Sequence, residues 1–175
     1  MSDEAFSLAG KVALITGSTR GIGAAIAEEF AAAGASLVVT GRRPSEAQAV
    51  AERIQERGGE AQALAYEAAE DGAPRRLADA VGALHNKLDI LVNNAGILRD
   101  KSFTKMEMSD FNLVVDVHLM GSVKPTRAVS PIMKEQGYGR IIVPDSSSGL
   151  YGNFVQTNTA HAKLALSGFL TNFCP

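Results

Sequence analysis

Short apolar runs alternate along the chain with longer helix-forming segments. The runs at 11–16 and 89–93 have the length and apolar character of strands that are buried in a parallel sheet. We predict five strands in all, at 11–16, 36–40, 60–66, 89–93 and 140–143. Because a helix-forming segment separates each strand from the next, the pattern predicts an α/β fold.

The segments between the strands carry the usual signals of helix ends. We predict helices at 24–33, 45–57, about 74–85, 110–136 and about 156–172. Three of them are followed by a glycine that can close a helix: Gly34, Gly58 and Gly137. Ser45 and Gln48 form a candidate capping box, and Ser109 is a candidate cap of the fourth helix. Pro125 lies inside that helix, where its missing hydrogen bond predicts a bend.

Right-handed crossovers place five such strands in the order 3-2-1-4-5, in a Rossmann-like, doubly wound parallel sheet. The expected architecture is a three-layer sandwich whose ligand crevice lies between strands 1 and 4, where the strand order reverses. A length of 175 residues, with 46% hydrophobic and 21% charged residues, fits a single folded domain over residues 1–175.

Charge and composition exclude several classes of partner. The net charge of −2 gives no electrostatic footprint for nucleic acid or an anionic membrane surface. No apolar run approaches the ~18 residues of a membrane span, and the acidic start Met1-Ser2-Asp3-Glu4 differs from a secretory signal, so we expect a cytoplasmic protein. The single cysteine, Cys174, cannot form an internal disulfide and has no metal-binding pattern around it, so no metal site is expected.

A glycine-rich turn joins the first strand to the first helix. Gly17, Gly21 and Gly23 stand where backbone amides and a helix N-terminus can approach a pyrophosphate. The spacing is one residue longer between the first two glycines than in the usual dinucleotide fingerprint. Taken alone, these glycines could also serve only a tight turn.

Two motifs together resemble the short-chain dehydrogenase/reductase family. The first is T-G-S-T-R-G-I-G at 16–23, and the second is N-N-A-G at 93–96, after the fourth strand. The segments 85–100, 117–119 and 151–154 are similar to the branch that holds the dehydrogenase domains of multifunctional 3-hydroxyacyl-CoA enzymes. The resemblance covers residues 8 to 173 and implies the Rossmann-like fold predicted above.

The resemblance implies a nicotinamide dinucleotide in the crevice. An arginine after the second strand would pair a 2′-phosphate, and this chain has Arg42 there and no carboxylate in 40–43, which favours NADP (NADPH) over NAD. The alternative is that Arg42 and Arg43 are ordinary solvated loop charges. Glu67 stands where the family often has an aspartate near the adenine. The cofactor-binding residues implied are Gly17, Thr19, Arg20, Gly21, Ile22, Gly23, Arg42, Asn93, Ala95, Gly96 and Lys163.

The catalytic set that the resemblance implies is incomplete. The family uses serine, tyrosine and lysine, and here Ser146 and Lys163 match while Thr159 occupies the tyrosine position and His118 the position of a fourth residue, an asparagine. An aliphatic hydroxyl is a far weaker acid than a phenol of pKa about 10, so Thr159 does not replace the acid. Losing a general acid typically costs about 10²–10⁴-fold in rate.

Other residues do not clearly fill that gap. His161 lies two positions from Lys163 on the predicted helix, about 200° around its axis, so we expect it to face solvent. Tyr151 is the nearest tyrosine, but the similar branch carries a tyrosine there besides the catalytic one. Without the acid, Ser146 could be an ordinary loop hydroxyl, and Lys163 could contact only the cofactor ribose.

Members of the family continue into a sixth strand and a substrate lid, whereas this sequence stops at Pro175. We therefore expect an open nicotinamide half and an exposed edge at strand 5, which Pro144 partly blunts. Our main hypothesis is an NADP-binding oxidoreductase subunit that is deficient alone. It would act in a hetero-oligomer with a complete homologue on a β-hydroxy or β-keto acyl substrate, either a small-molecule thioester or one bound to a carrier protein.

Similar tyrosine-less companions occur in secondary metabolism, including aminocoumarin antibiotic biosynthesis. Two alternatives stay open at this point. One is an active NADP-dependent ketone reductase or alcohol dehydrogenase, and the other is a truncated gene product without function.

Overall fold

A computed structural model describes residues 6–173 and contains a five-stranded parallel sheet of order β3-β2-β1-β4-β5. The predicted fold class and strand order are confirmed, and every strand lies within one residue of its predicted bounds. Met1–Glu4 and Cys174 lie outside the described residues. The strands are β1 Val12–Ile15, β2 Ser36–Gly41, β3 Glu60–Ala65, β4 Ile90–Val92 and β5 Arg140–Ile142.

The helices are α1 Gly21–Ala32, α2 Pro44–Glu56, α3 Ala73–His85, α4 Met108–Val115, α5 Gly121–Glu135, α6 Ser147–Tyr151 and α7 Thr157–Phe173. The glycines expected to close α1, α2 and α5 all have positive φ: +95° at Gly34, +83° at Gly58 and +71° at Gly137. These three helix ends were therefore identifiable from the sequence, because only glycine takes this conformation without a steric cost.

Both predicted serine caps are wrong. Helix α2 begins at Pro44, after Arg43, so Ser45 lies inside its first turn and makes no capping bond. Proline is well suited to the first helical position because its φ is already helical and its missing N–H leaves no donor unpaired. Helix α4 likewise begins before Ser109, at Met108, and has no side-chain cap.

The predicted single helix 110–136 is also wrong, since a π-helical turn over Asp116–Met120 separates α4 from α5. Pro125 lies one turn beyond the π-helical turn, inside α5. Its ring nitrogen has no hydrogen to donate to the carbonyl of Gly121, four residues earlier. The bend that was expected at Pro125 is therefore replaced by a π-helical turn that ends five residues before it. Two short elements were not predicted: a 3-10 turn at Phe103–Lys105 and helix α6.

Alternate residues of the central strands build two cores, one on each face of the sheet. Val12 and Leu14 of β1 belong to the core that also holds residues of α3 and α5. Ala13 and Ile15 belong to the core that holds residues of α1 and α2. The resulting three layers leave the carboxyl ends of β1 and β4 side by side. None of the helices within 6–173 is long and apolar enough to cross a membrane.

Candidate functional site

The turn after β1 depends on its glycines. Gly17 has a φ of +65°, and a Cβ atom there would lie 2.9 Å from the Cα of Ala95. A Cβ atom at Gly23 would overlap the side-chain nitrogen of Asn94 and the carbonyl oxygen of Gly17. Gly21 has a φ of +55° and faces open space. Packing thus requires glycine at the first and third positions, and backbone conformation favours it at the second.

The two sequence motifs contact each other directly. The side-chain nitrogen of Asn94 donates to the carbonyl oxygens of Thr16, at 3.1 Å, and Gly17, at 3.0 Å. In return, the amide of Ala95 donates to Thr16 Oγ1 at 3.0 Å. The segment after β4 is therefore hydrogen-bonded to the glycine turn. Gly96, the next residue after Ala95, is exposed.

Two buried hydroxyls that the sequence did not single out brace the same turn. Ser18 Oγ donates to the carbonyl of Ile15 at 2.8 Å and accepts from the amide of Thr40 at 2.9 Å. Thr40 Oγ1 accepts from the amide of Gly17 at 3.3 Å and donates to the carbonyl of Ile15 at 3.0 Å. These bonds tie the ends of β1 and β2 together.

The N-terminus of α1 opens onto the crevice. Arg20 is the residue before the helix, and its side chain makes no capping bond. The amides at the start of a helix have no acceptor within the helix and attract an anion. Ile22, in this first turn, is 71% exposed. These amides suit a dinucleotide's pyrophosphate, and Gly21, which faces open space, puts no side chain in its way.

The end of β2 places cations beside the glycine turn. A Cβ atom at Gly41 would overlap the methyl group of Thr19, so the turn packs directly against the strand end. Arg42 follows, with its Nε 3.8 Å from Oε2 of Glu67. Arg43 forms an ion pair with Glu46. Among residues 6–173, Arg20 has no carboxylate partner and is exposed.

Lys163 is buried on α7, and its Nζ donates to the carbonyl oxygen of Pro144 at 2.5 Å. Burial lowers the pKa of Lys163, and the negative charge of Asp145 opposes this effect only in part. Ser146 caps α6, where its Oγ accepts from the amide of Ser148 at 3.2 Å. Ser146 therefore lies in the loop after β5, and Lys163 reaches that loop from α7, but each already has a structural partner.

Thr159 lies one helical turn before Lys163 and is 5% exposed. Its hydroxyl is buried and has no hydrogen-bond partner. The amide of Thr159 donates to Asn158 Oδ1 at 2.8 Å. His161 is exposed, as predicted, and its ring lies 5.6 Å from that of Phe111. Tyr151 is 86% exposed, so no phenol occupies the buried position beside Lys163.

His118 stands in the π-helical turn and packs against the segment after β4. Its Nε2 lies 2.8 Å from the carbonyl oxygen of Ile97 and 3.1 Å from the amide of Ile97. A Cβ atom at Gly96 would lie 2.8 Å from the ring. Burial lowers the pKa of His118, and the positive charge of Lys163 lowers it further. The hydrogen bond with Ile97 raises it, but by less than burial lowers it. The net direction favours the neutral imidazole.

Asn93 is also buried, and its side-chain nitrogen donates to Thr126 Oγ1 at 3.0 Å. Its side-chain oxygen has no partner. This bond fixes the end of β4 against α5 rather than presenting the side chain to the crevice.

A polar network that the sequence did not indicate joins the segment after β4 to that after α6. Gln156 Nε2 donates to Asp100 Oδ2 at 2.8 Å, and Gln156 Oε1 accepts from Ser148 Oγ at 2.5 Å. The amide of Lys101 donates to the carbonyl of Val155 at 3.1 Å. Val155 has a φ of +68°, which is unfavourable for a β-branched residue.

The structure thus gathers the glycine turn, the 93–96 segment, His118 and Lys163 at the carboxyl edge of the sheet. Within 6–173, no group of three or more His, Cys, Asp and Glu side chains has a metal-binding arrangement.

The family model of short chain dehydrogenases matches residues 11–174. The chain is 46% identical over 176 residues to the peroxisomal multifunctional enzyme type 2 of Drosophila melanogaster, covering 95% of this chain and 29% of that protein. It is 40% identical over 163 residues to the 3-oxoacyl-(acyl-carrier-protein) reductase of Aquifex aeolicus, covering 93% of this chain and 66% of that protein.

A solved structure shows the same fold. A protein of Beutenbergia cavernae, assigned as an NAD(P)-dependent gluconate 5-dehydrogenase and crystallised with bound NADP, superposes with a TM-score of 0.88 at 32% identity. The alignment covers 94% of this chain and 65% of that one. The chain therefore spans between about a third and two thirds of the length of these three proteins.

Proposed function

Because the chain belongs to the short-chain dehydrogenase family, we propose that it binds NADP(H) between β1 and β4 but does not catalyse hydride transfer on its own. The observation that carries this proposal is the contrast between the two halves of the site. The glycine turn is fully braced, whereas the buried residue beside Lys163 is a threonine whose hydroxyl has no partner.

The nucleotide would be held by the chain's own backbone and charges. The amides of 21–23 and the dipole of α1 would bind the pyrophosphate, and Gly21 would leave its approach free of a side chain. Ala95 and Gly96 form the opposite wall, with the His118 ring behind Gly96. The bound nicotinamide would supply or accept the hydride of the family's reaction.

The charges at the end of β2 support NADP over NAD. A carboxylate after β2 would bond a ribose 2′-hydroxyl, and this chain has Arg42 there instead. Arg20, exposed at the start of α1, adds a second cation on the same side. The NADP bound to the Beutenbergia cavernae protein, which is 32% identical, is consistent with this choice.

The deficiency follows from acid strength and position. Proton transfer to a substrate oxygen needs a group with a pKa near the working pH, and an aliphatic hydroxyl is far above it. Lys163 does not take over, because its Nζ is held at the carbonyl oxygen of Pro144, 2.5 Å away. His118 does not either, since its Nε2 is held at Ile97 and its Nδ1 is buried, with no hydrogen-bond partner among the described residues.

We propose a complete homologue as the partner that supplies the missing chemistry. Strand β5 is the outer strand of the sheet within the described residues, and Ile142 on it is 42% exposed. An exposed apolar side chain on an outer strand favours contact with further polypeptide. The proposed substrate is a β-hydroxy or β-keto acyl thioester, supported by the 46% identity to a multifunctional enzyme and the 40% identity to an acyl-carrier-protein reductase.

The test is to mix the purified chain with a complete homologue encoded beside it and to measure mass and turnover together. A mixed complex with a higher turnover than the homologue alone supports the proposal. If the two proteins do not associate, the partner function is wrong. Turnover by the unmixed chain would instead favour an active reductase.

A further inference from the structure

Glu67 meets Arg42 at the mouth of the proposed nucleotide site, so this inference rests on the proposed function. Arg42 directly follows Gly41, the last residue of β2, and Glu67 lies two residues after Ala65, the last of β3. Gly41 and Ala65 pair in register, so strands β2 and β3 end at the same edge of the sheet. The resulting ion pair has a distance of 3.8 Å between Nε and Oε2.

The main chain around Glu67 holds its carboxylate in place. Oε1 of Glu67 accepts from the amide of Ala69 at 3.5 Å, and the carbonyl of Glu67 accepts from the amide of Glu70 at 3.1 Å. Because one carboxylate oxygen faces its own turn, the other is free to face Arg42. The carboxylate therefore contacts both its own main chain and the guanidinium.

We infer that Glu67 sets the cofactor preference by competing with the 2′-phosphate for Arg42. A phosphate that pairs with Arg42 must displace the carboxylate or lie next to it, and the two groups carry charges of the same sign. NADH has a neutral 2′-hydroxyl and meets no such repulsion. Glu67 therefore weakens the binding of NADPH but not that of NADH. It reduces the preference for NADPH over NADH that Arg42 and Arg20 create.

The expected effect is modest because neither side chain is buried. Arg42 is 68% exposed and Glu67 39% exposed in their side chains. Exposed ion pairs are screened, so removing the carboxylate is expected to tighten NADPH binding by about two- to fivefold.

Glu46 provides a matched control. Its side chain is also 39% exposed and also pairs with an arginine of the same loop, but the partner is Arg43. Glu46→Gln removes the same charge as Glu67→Gln and leaves the contact between Glu67 and Arg42 intact.

The experiment is a fluorescence titration of the chain and its variants with NADPH and with NADH. Glu67→Gln should lower the dissociation constant for NADPH by about two- to fivefold and leave that for NADH unchanged. Glu46→Gln should leave the ratio of the two constants unchanged. In a chain that carries Arg42→Gln, adding Glu67→Gln should no longer change the ratio, because the contested cation is gone.

Three results would overturn the inference. An equal change for both nucleotides would show that Glu67 acts on the adenosine that they share. An equal effect of Glu46→Gln would show that only net charge matters. Both of these results leave the proposed nucleotide binding intact, whereas no binding of either nucleotide by the unchanged chain would overturn the proposed function and the inference together.

Discussion

The ammonium of Lys163 donates a hydrogen bond to the backbone carbonyl of Pro144, with 2.5 Å between Nζ and O. This bond ties α7 to the loop that follows β5. One helical turn earlier, the buried hydroxyl of Thr159 has no partner. The two side chains share a helix face but do not form a hydrogen bond with each other. The lysine therefore does not activate the hydroxyl of Thr159.

Replacing the Thr159 hydroxyl by a methyl group should stabilise the protein. A buried hydroxyl without a partner has lost its hydration and gained nothing, so Thr159→Val is expected to raise the free energy of unfolding by about 1 kcal/mol. Denaturant unfolding measures this change. NADPH affinity should stay the same.

Thr126→Val is the matched control for that variant. Thr126 is fully buried, but its Oγ1 accepts from Asn93 at 3.0 Å. Losing this partner should lower the free energy of unfolding by about 1–3 kcal/mol. If the two valine variants changed stability in the same direction, the hydroxyl of Thr159 would have a partner after all.

The variant Thr159→Tyr tests whether the missing tyrosine alone explains the proposed lack of hydride transfer. Position 159 is buried, and Lys163 is already engaged, so a tyrosine must displace its neighbours. We expect hydride transfer by Thr159→Tyr to stay within about tenfold of the unchanged chain, below the 10²–10⁴-fold that a general acid supplies. A gain of a hundredfold or more in a steady-state assay would weaken the partner-subunit proposal.

Val155 should be a stabilising site for glycine. A φ of +68° costs a β-branched residue about 1–2 kcal/mol, part of which glycine loses again through its freedom in the unfolded chain. Val155→Gly is therefore expected to raise the free energy of unfolding by about 1 kcal/mol, equivalent to about 2–4 °C in melting temperature. Val143→Gly, at a residue without positive φ, should lower it.

Acid stability should depend on Asp89. Burial alone would raise the pKa of this carboxyl, but the Val12 amide at 2.8 Å and the Lys87 ammonium at 3.0 Å outweigh it and hold the pKa below its ordinary value. The charged carboxylate therefore stabilises the fold above the unfolded pKa of about 3.9, and this stabilisation is lost as the pH falls through the folded value.

Asp89→Asn should consequently cost about 1–3 kcal/mol at pH 7 and progressively less in acid. Urea unfolding over a series of pH values measures the difference. Asp79→Asn is the control, because Asp79 is exposed and pairs only with Arg75 one turn away. A constant cost of Asp89→Asn down to pH 2 would contradict the assigned contacts.

The sheet could be predicted because its signals are local. Apolar runs of strand length and glycines at positive φ mark where elements begin and end, and crossover handedness then leaves only a few possible strand orders. The serine caps failed because Pro44 and Met108 start their helices first. The π-helical turn was missed because the sequence of 110–136 carries no signal that marks one.

The site was predictable as a location but not in its contacts. The two motifs placed the crevice, yet neither could show that Lys163 reaches Pro144, that Asn93 turns toward Thr126, or that Glu67 faces Arg42. Such contacts depend on side-chain directions set by tertiary structure. The cofactor-binding roles of 16–23 and 93–96, the cytoplasmic location and the link to antibiotic pathways stay predictions.

The most direct test of the central claim is an equilibrium titration of the isolated chain with NADPH, with hydride transfer to acetoacetyl-coenzyme A followed in the same sample. The account predicts saturable binding of NADPH and no transfer above the rate without protein. Transfer by the purified chain would show that Thr159 does not prevent the reaction. The absence of saturable binding would show that the braced glycine turn does not hold the nucleotide, and either result would contradict the account.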